Sequence, residues 1–135
     1  MPPYWSLGYQ LSRYGYADAS DMSRTIGSNT AYGIPLDAIY GDIDYMDRQL
    51  DFTIGSGFSS LKQYVGEWKS QGVKFVPILD PAISAEEDKD GPTAYFPYTT
   101  GLDSDVYCRD ADGNLYYGIV WPYKKGTESV DGWDL

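Results

Sequence analysis

Residues 36–44 read LDAIYGDID, a short apolar run that passes into alternating acidic residues. The apolar part, Leu36 to Tyr40, has the length and the aromatic and β-branched content of a buried strand. A second such run, Val73 to Leu79, follows an amphipathic segment from Phe58 to Gln71 whose apolar residues recur every three or four positions. Two strands joined through a helix predict a parallel pair with a right-handed crossover.

The same alternation extends towards the N-terminus. The aromatic-rich stretch Tyr4 to Gln10 predicts a first strand, and Ala17 to Tyr32 predicts a helix capped by Asp18 or Ser20. That helix is weakly specified, because glycine, asparagine and β-branched residues lie in its interior. The resulting order is strand, helix, strand, helix, strand.

Beyond the third strand the sequence changes character. Residues 84–105 are polar and rich in Gly, Pro and Asp, which predicts a long surface loop, and the pair Asp112-Gly113 predicts a hairpin turn. Three parallel strands alone leave unpaired edges, and a closed barrel takes about 250 residues. A doubly wound sheet would expose its edges in the same way, so with either architecture the residues predict an α/β fold that is begun but not completed.

Composition excludes several classes of function. Twenty acidic and ten basic side chains give a net charge of −10, which opposes binding to nucleic acid or to an anionic membrane. The chain has no histidine, one cysteine, and no glycine motif for a dinucleotide or phosphate, so we expect neither a cofactor nor a metal ion. Fourteen tyrosines and four tryptophans suit either a sugar site or ordinary packing.

Acidic residues follow two of the predicted strands, where the working side chains of parallel α/β folds lie. Asp42 and Asp44 come after the second strand and Asp80 after the third. If the strand stays extended, Asp42 and Asp44 point to the same side. The alternative is a structural role, with Arg48 as an ion-pair partner. Aromatic residues Tyr14 and Trp121 are candidates to stack on a sugar or to pack in the fold.

Several motifs together resemble glycoside hydrolase family 31, in its animal branch of maltase-glucoamylase, sucrase-isomaltase and lysosomal acid α-glucosidase. They are, in chain order, MPPYWSLGYQ (1–10), RYGY (13–16), IPLD (34–37), DIDYM (42–46), DFT (51–53), ILDPAIS (78–84) and VWP (120–122). The resemblance covers most of the chain and is weakest at residues 85–118.

The resemblance implies a partial (β/α)₈ TIM barrel, made of the first strands and helices with a long loop and hairpin insertion, so that residues 1–135 are an N-terminal fragment of a glycoside hydrolase catalytic barrel. It implies a retaining exo-acting α-glucosidase that removes terminal α-linked glucose from malto-oligosaccharides such as maltose. It places Asp42 on the sugar hydroxyls, Tyr14 at an aromatic wall and Trp121 after the third-strand loop. It adds Ile43 and Ile78 as apolar neighbours, with Asp44 and Asp80 as possible support. The family's Trp-x-Asp-Met-Asn-Glu nucleophile motif does not occur in these residues, so no catalytic acid is assigned and this chain alone is expected to be inactive.

Two alternatives remain open. The chain could be a non-catalytic remnant of the family that binds a carbohydrate or a partner, or it could come from an α-xylosidase or α-glucan lyase. The compartment is open from these residues, and the resemblance implies a secreted, lumenal or lysosomal protein. The partners it implies are an α-glucoside and the remainder of the same barrel, without membrane contact from this segment.

Overall fold

A computed structural model of the chain describes residues 1–85 and 94–118, with the backbone of 124–125 and 128–129. The chain divides into two compact units, Met1–Leu79 and Asp80–Leu135. The described elements are β1 (Gln10–Leu11), α1 (Ala19–Ala31), β2 (Ala38–Gly41), α2 (Leu61–Ser70), β3 (Lys74–Pro77), α3 (Phe96–Asp103), β4 (Lys124–Lys125) and β5 (Glu128–Ser129).

The first unit contains a parallel sheet in the order β1-β2-β3. Ala38 pairs with Gln10 on one side and with Lys74 on the other, so β2 is the central strand. The Lys74 amide donates to the carbonyl of Asp37, just before β2, and the Ile78 amide donates to the carbonyl of Gly41, the last residue of β2. Pro77, which has no amide hydrogen, lies between these donors. The predicted strand and helix order of a partial barrel is confirmed.

The first strand is much shorter than predicted. Residues Tyr4–Leu7 form a 3₁₀ turn, in which the Ser6 hydroxyl donates to the Pro3 carbonyl over 2.7 Å, and the strand begins only at Gln10. Aromatic residues favour strands where neighbours cover their rings. The Tyr4 side chain is exposed, so that preference has no packing to act through here.

Helix α1 begins where one of the two proposed caps predicts. The Asp18 carboxylate accepts hydrogen bonds from the Asp21 amide at 2.8 Å and from the Ser20 hydroxyl at 2.6 Å. These bonds, the one from Ser20 first, lower the pKa of Asp18. The helix then continues without a break past Gly27, because its buried side chains recur at a helical spacing. They are Ala19, Met22 and Ile26.

The core of the first unit lies between the helices and the sheet. Its centre is Trp68 of α2, which is 1% exposed and has Tyr64 stacked at 5.9 Å and Phe75 of β3 at 6.0 Å between ring centroids. Leu61, one of the apolar positions that predicted α2, is buried in the same core. The helical periodicity therefore identified the buried face correctly.

Gly41, the last residue of β2, sets how closely the core approaches the end of the strand. A Cβ atom at this position would lie 2.7 Å from Cζ of Phe75 and 3.1 Å from Cδ1 of Tyr45. We expect Gly41→Ala to cost about 1–3 kcal/mol of stability, because two packed rings would have to move. Thermal unfolding of the native protein that carries this chain measures the loss.

The matched control is Gly66→Ala in α2, where an added Cβ meets nothing within 4 Å. Alanine lowers the entropy cost of a helix, so this variant should gain about 0.5–1 kcal/mol. Equal effects of the two substitutions would contradict the packing described at Gly41.

The second unit differs from the predicted loop. Helix α3 lies inside residues 84–105, and Pro97 occupies its first turn, where a missing amide costs nothing. Tyr107 holds the helix from outside: its hydroxyl donates to the carbonyls of Pro97 at 2.9 Å and Tyr98 at 3.1 Å. Its ring lies where a side chain at Gly101 would be, so the helix depends on a contact that local composition does not encode.

The predicted hairpin is present in the same unit. Arg109 and Leu115 form an antiparallel bridge, and Gly113 takes a left-handed φ of +84° in the turn. The Asp110 carboxylate accepts from the amides of Asn114 at 2.8 Å and Asp112 at 3.0 Å. These contacts, with Asn114 first, lower the pKa of Asp110 and close the turn.

Candidate functional site

The strands of the first unit are parallel, so the loops that follow them leave from one edge of the sheet. Tyr14 lies in the loop after β1, Asp42 and Ile43 come directly after β2, and Ile78 follows β3. Four predicted site residues are thereby brought to the edge at which barrel enzymes bind their ligands.

Hydrogen bonds join the three loops. The Gly15 amide, after β1, donates to Oδ2 of Asp44, after β2, over 2.8 Å. The Tyr45 hydroxyl donates to the Ile78 carbonyl, after β3, over 2.8 Å. The ends of all three strands are therefore held together through two residues of one short turn.

Asp42 forms the start of that turn. Its backbone is extended, with φ −83° and ψ −179°, and its Oδ1 accepts from the Ile43 amide at 2.8 Å. The side chain is half-buried. A carboxylate has about four acceptor positions, so capping the turn uses a small part of its capacity and leaves the rest for other donors.

The condition under which Asp42 and Asp44 would point to the same side is not met. The extended backbone ends at Asp42, and Ile43–Tyr45 form a 3₁₀ turn. Asp44 consequently reaches back to the loop after β1, where it bonds to the Gly15 amide. The two carboxylates have different surroundings, although their spacing in the sequence is that of a strand face.

Asp44 is more buried than its charge favours. Burial raises the pKa of its carboxyl, the amides of Gly15 and Tyr16 lower it, and the nearby carboxylate of Asp42 raises it further. Amide hydrogen bonds stabilise the charged form that burial penalises. The Asp44 carboxylate thus serves as a hydrogen-bond acceptor for the loop after β1.

The apolar candidates differ in exposure. Ile43 is 8% exposed and belongs to the core, whereas Ile78 is half-buried and packs against that core. Tyr14 is 64% exposed, as a residue that offers its ring to a ligand must be. Among these candidates, the ring of Tyr14 and the carboxylate of Asp42 are accessible to a ligand.

The residues predicted from the sequence also include Asp80, Trp121 and Arg48. Asp80 is half-buried and begins the second unit, and Trp121 lies outside the described residues. Arg48, the proposed ion-pair partner of the acidic residues, has its Nε 3.6 Å from the Asp47 carboxylate. Sequence reasoning missed Tyr45 as the residue that binds the loop after β3, and its only signal was its place inside the DIDYM motif.

Two absences hold within the described residues. There, no group of three or more His, Cys, Asp or Glu side chains could hold a metal ion. None of the helices in the same part of the chain has the length and hydropathy to cross a bilayer.

A parallel sheet with helices between its strands, and with aromatic and acidic side chains at the carboxyl ends, is typical of parallel α/β proteins, which bind their ligands at that edge. The chain belongs to glycosyl hydrolase family 31. The model of that family's TIM-barrel domain matches residues 1–132. The family resemblance and the partial barrel fold predicted from the sequence are both confirmed.

Individual relatives are similar over most of the chain. Human intestinal sucrase-isomaltase is 44% identical over 123 residues, which is 90% of this chain and 6% of that protein. Rat lysosomal alpha-glucosidase is 38% identical over an alignment that covers 98% of this chain and 14% of that protein. A crystal structure of glucosidase II alpha subunit matches with a TM-score of 0.74 and 27% identity, covering 96% of this chain and 13% of that one. The chain thus spans a small part of its relatives' length.

Proposed function

We propose that this chain is the first part of the catalytic barrel of a retaining, exo-acting α-glucosidase that removes terminal α-linked glucose from malto-oligosaccharides. The observation that carries the proposal is the joined edge of the sheet, where Tyr14 and Asp42 stand on loops linked by hydrogen bonds. Membership of family 31 and the α-glucosidase names of its relatives supply the chemistry.

The side chains suit a glucose ring. A pyranose has a weakly apolar C–H face that stacks on an aromatic ring, and Tyr14 offers such a ring. Its hydroxyls donate strongly to an ionised carboxylate, which Asp42 supplies. Ile43 and Ile78 would give these two residues an apolar support, and Trp121 would add a second aromatic surface.

The remaining machinery would come from the rest of the barrel. A sugar pocket needs walls on several sides, and the three described parallel strands supply one part of them. We place the nucleophile and the acid/base outside these 135 residues, with Asp80 as support for the pocket. The partners of this segment are then the remainder of its barrel and the α-glucoside. A secreted, lumenal or lysosomal location follows from the intestinal and lysosomal relatives.

The proposal predicts different behaviour for the native protein and for the isolated chain. The native protein, captured with an antibody against residues 94–118, should have a mass several times 15.1 kDa and should hydrolyse maltose. Proton NMR of the first product should show α-glucose, because a retaining mechanism preserves the anomeric configuration. The isolated 135-residue chain should release no glucose.

Cellobiose, the β-linked isomer of maltose, is the control substrate and should stay intact. A native mass near 15.1 kDa without maltose hydrolysis would contradict the proposal. That result would favour a non-catalytic remnant that binds a carbohydrate or a partner.

A further inference from the structure

The loop after β1 has few contacts of its own. Tyr14 is 64% exposed, and the next residue, Gly15, has a left-handed φ of +94° with no atom near the position of a Cβ. A glycine in this conformation gives the backbone more freedom than any other residue. Where the Tyr14 ring stands therefore depends on what holds the backbone beside it.

Side chains hold Gly15 at both of its polar groups. Its amide donates to Oδ2 of Asp44 at 2.8 Å, and its carbonyl accepts from Nη2 of Arg13 at 3.3 Å. The amide of Tyr16 also lowers the pKa of the Asp44 carboxyl. The Arg13 guanidinium lies 4.6 Å above the ring of Tyr16, which is 4% exposed and so belongs to the core.

The backbone around Asp44 is anchored in the core. It is the middle residue of the 3₁₀ turn Ile43–Tyr45, and its two neighbours in that turn are both buried in the core. Asp42 caps the same turn through its bond to the Ile43 amide. One short turn therefore carries the proposed sugar-binding carboxylate and the carboxylate that holds the loop of Tyr14.

We propose that Asp44 is a positioning residue for glucose recognition: by holding the amide of Gly15 it sets where the Tyr14 ring stands relative to Asp42. This inference rests on the proposed function. The contact joins residues 29 apart in the chain, so it ties the loop after β1 directly to the turn after β2. Substrate binding, rather than the chemical step, is what it controls.

A merely structural carboxylate would behave differently. Its removal would weaken the fold and would have the same effect on kinetics whatever side chain stands at position 14. A positioning carboxylate acts through Tyr14, so its effect on KM depends on the presence of that ring.

The test is a double-mutant cycle in the native protein, with maltose as substrate. We expect Asp44→Ala to raise KM about tenfold and to change kcat by less than about twofold, since a hydrogen bond from an amide to a charged group, which holds the loop of Tyr14, is lost. In a Tyr14→Ala background the same substitution should change KM by less than about twofold. Asp44→Asn, which retains a carbonyl acceptor of the same shape, should restore most of the wild-type KM.

Hydrogen exchange of the peptide that contains residues 13–16 gives a readout that does not need activity. It should become faster in Asp44→Ala, whereas exchange in β2 stays as in the wild type. Unchanged exchange in this loop would overturn the inference even for a variant too weak to assay.

The kinetic outcomes separate two failures. If Tyr14→Ala raises KM and Asp44→Ala adds its full effect on top, Asp44 does not act through Tyr14; the inference is overturned and the proposed function stands. If Tyr14→Ala leaves KM unchanged, the ring does not contact the substrate, and both the inference and the role proposed for Tyr14 fail.

Discussion

Trp68→Ala is expected to destabilise the first unit by about 3–5 kcal/mol. The side chain is 1% exposed, stacks on Tyr64 and packs against Phe75, so its removal leaves a large cavity between α2 and the sheet. Its indole Nε1 also approaches the Ser23 hydroxyl of α1 at 3.5 Å, which links the two helices. A loss of this size is a large share of the free energy of unfolding of a typical domain.

Hydrogen exchange of peptides from β2 and α2 in the native protein measures this loss as a free energy of opening, independently of the rest of the polypeptide. The matched control is Trp68→Phe, which keeps an aromatic ring between Tyr64 and Phe75 and should lose clearly less. Equal protection of β2 in Trp68→Ala and the wild type would show that the core does not lie where the structure has it.

Asp42→Asn is expected to lower kcat/KM for maltose by about 10–150-fold, which corresponds to a charged hydrogen bond of about 1.5–3 kcal/mol. Asparagine caps a turn as well as aspartate does, so the bond from the Ile43 amide at 2.8 Å can persist while the charge is lost. The substitution thus removes the acceptor strength offered to sugar hydroxyls and leaves the turn in place. Steady-state kinetics with maltose measure the effect.

Asp37→Asn is the matched control. Asp37 is half-buried like Asp42 and precedes the same strand, β2, at the edge of the sheet opposite to the site. Its neutralisation should change kcat/KM by less than about twofold. A loss at Asp37 equal to that at Asp42 would mean that net charge, and not a contact at this edge, explains the result.

Periodic patterns predicted the elements that pack by their own repeating faces. The apolar spacing around Leu61 and Trp68 predicted α2, and the cap at Asp18 predicted where α1 begins. The strand predicted from Tyr4 to Gln10 was largely wrong, because aromatic residues favour a strand only where other side chains cover their rings, and the Tyr4 ring is exposed. Helix α3 was missed, because Tyr107 holds it from outside.

The candidate site shows the same division. The sequence showed acidic and aromatic residues after the strands. Its resemblance to glycoside hydrolase family 31 assigned a role to each of them. The spacing of Asp42 and Asp44 suggested one shared face, and the 3₁₀ turn at Ile43 gives them separate partners. Nothing in the residues between Gly15 and Asp44 indicates that these two meet.

The sequence by itself determined the strand and helix order, the parallel sheet it implies and the family to which the chain belongs. These depend on local periodicity and on ordered motifs, which a linear chain records directly. Only the tertiary structure decided which carboxylate holds the loop of Tyr14 and how closely Phe75 approaches Gly41. Such contacts join residues about 30 positions apart, and they exist only once the parallel strands have brought their carboxyl ends to one edge of the sheet.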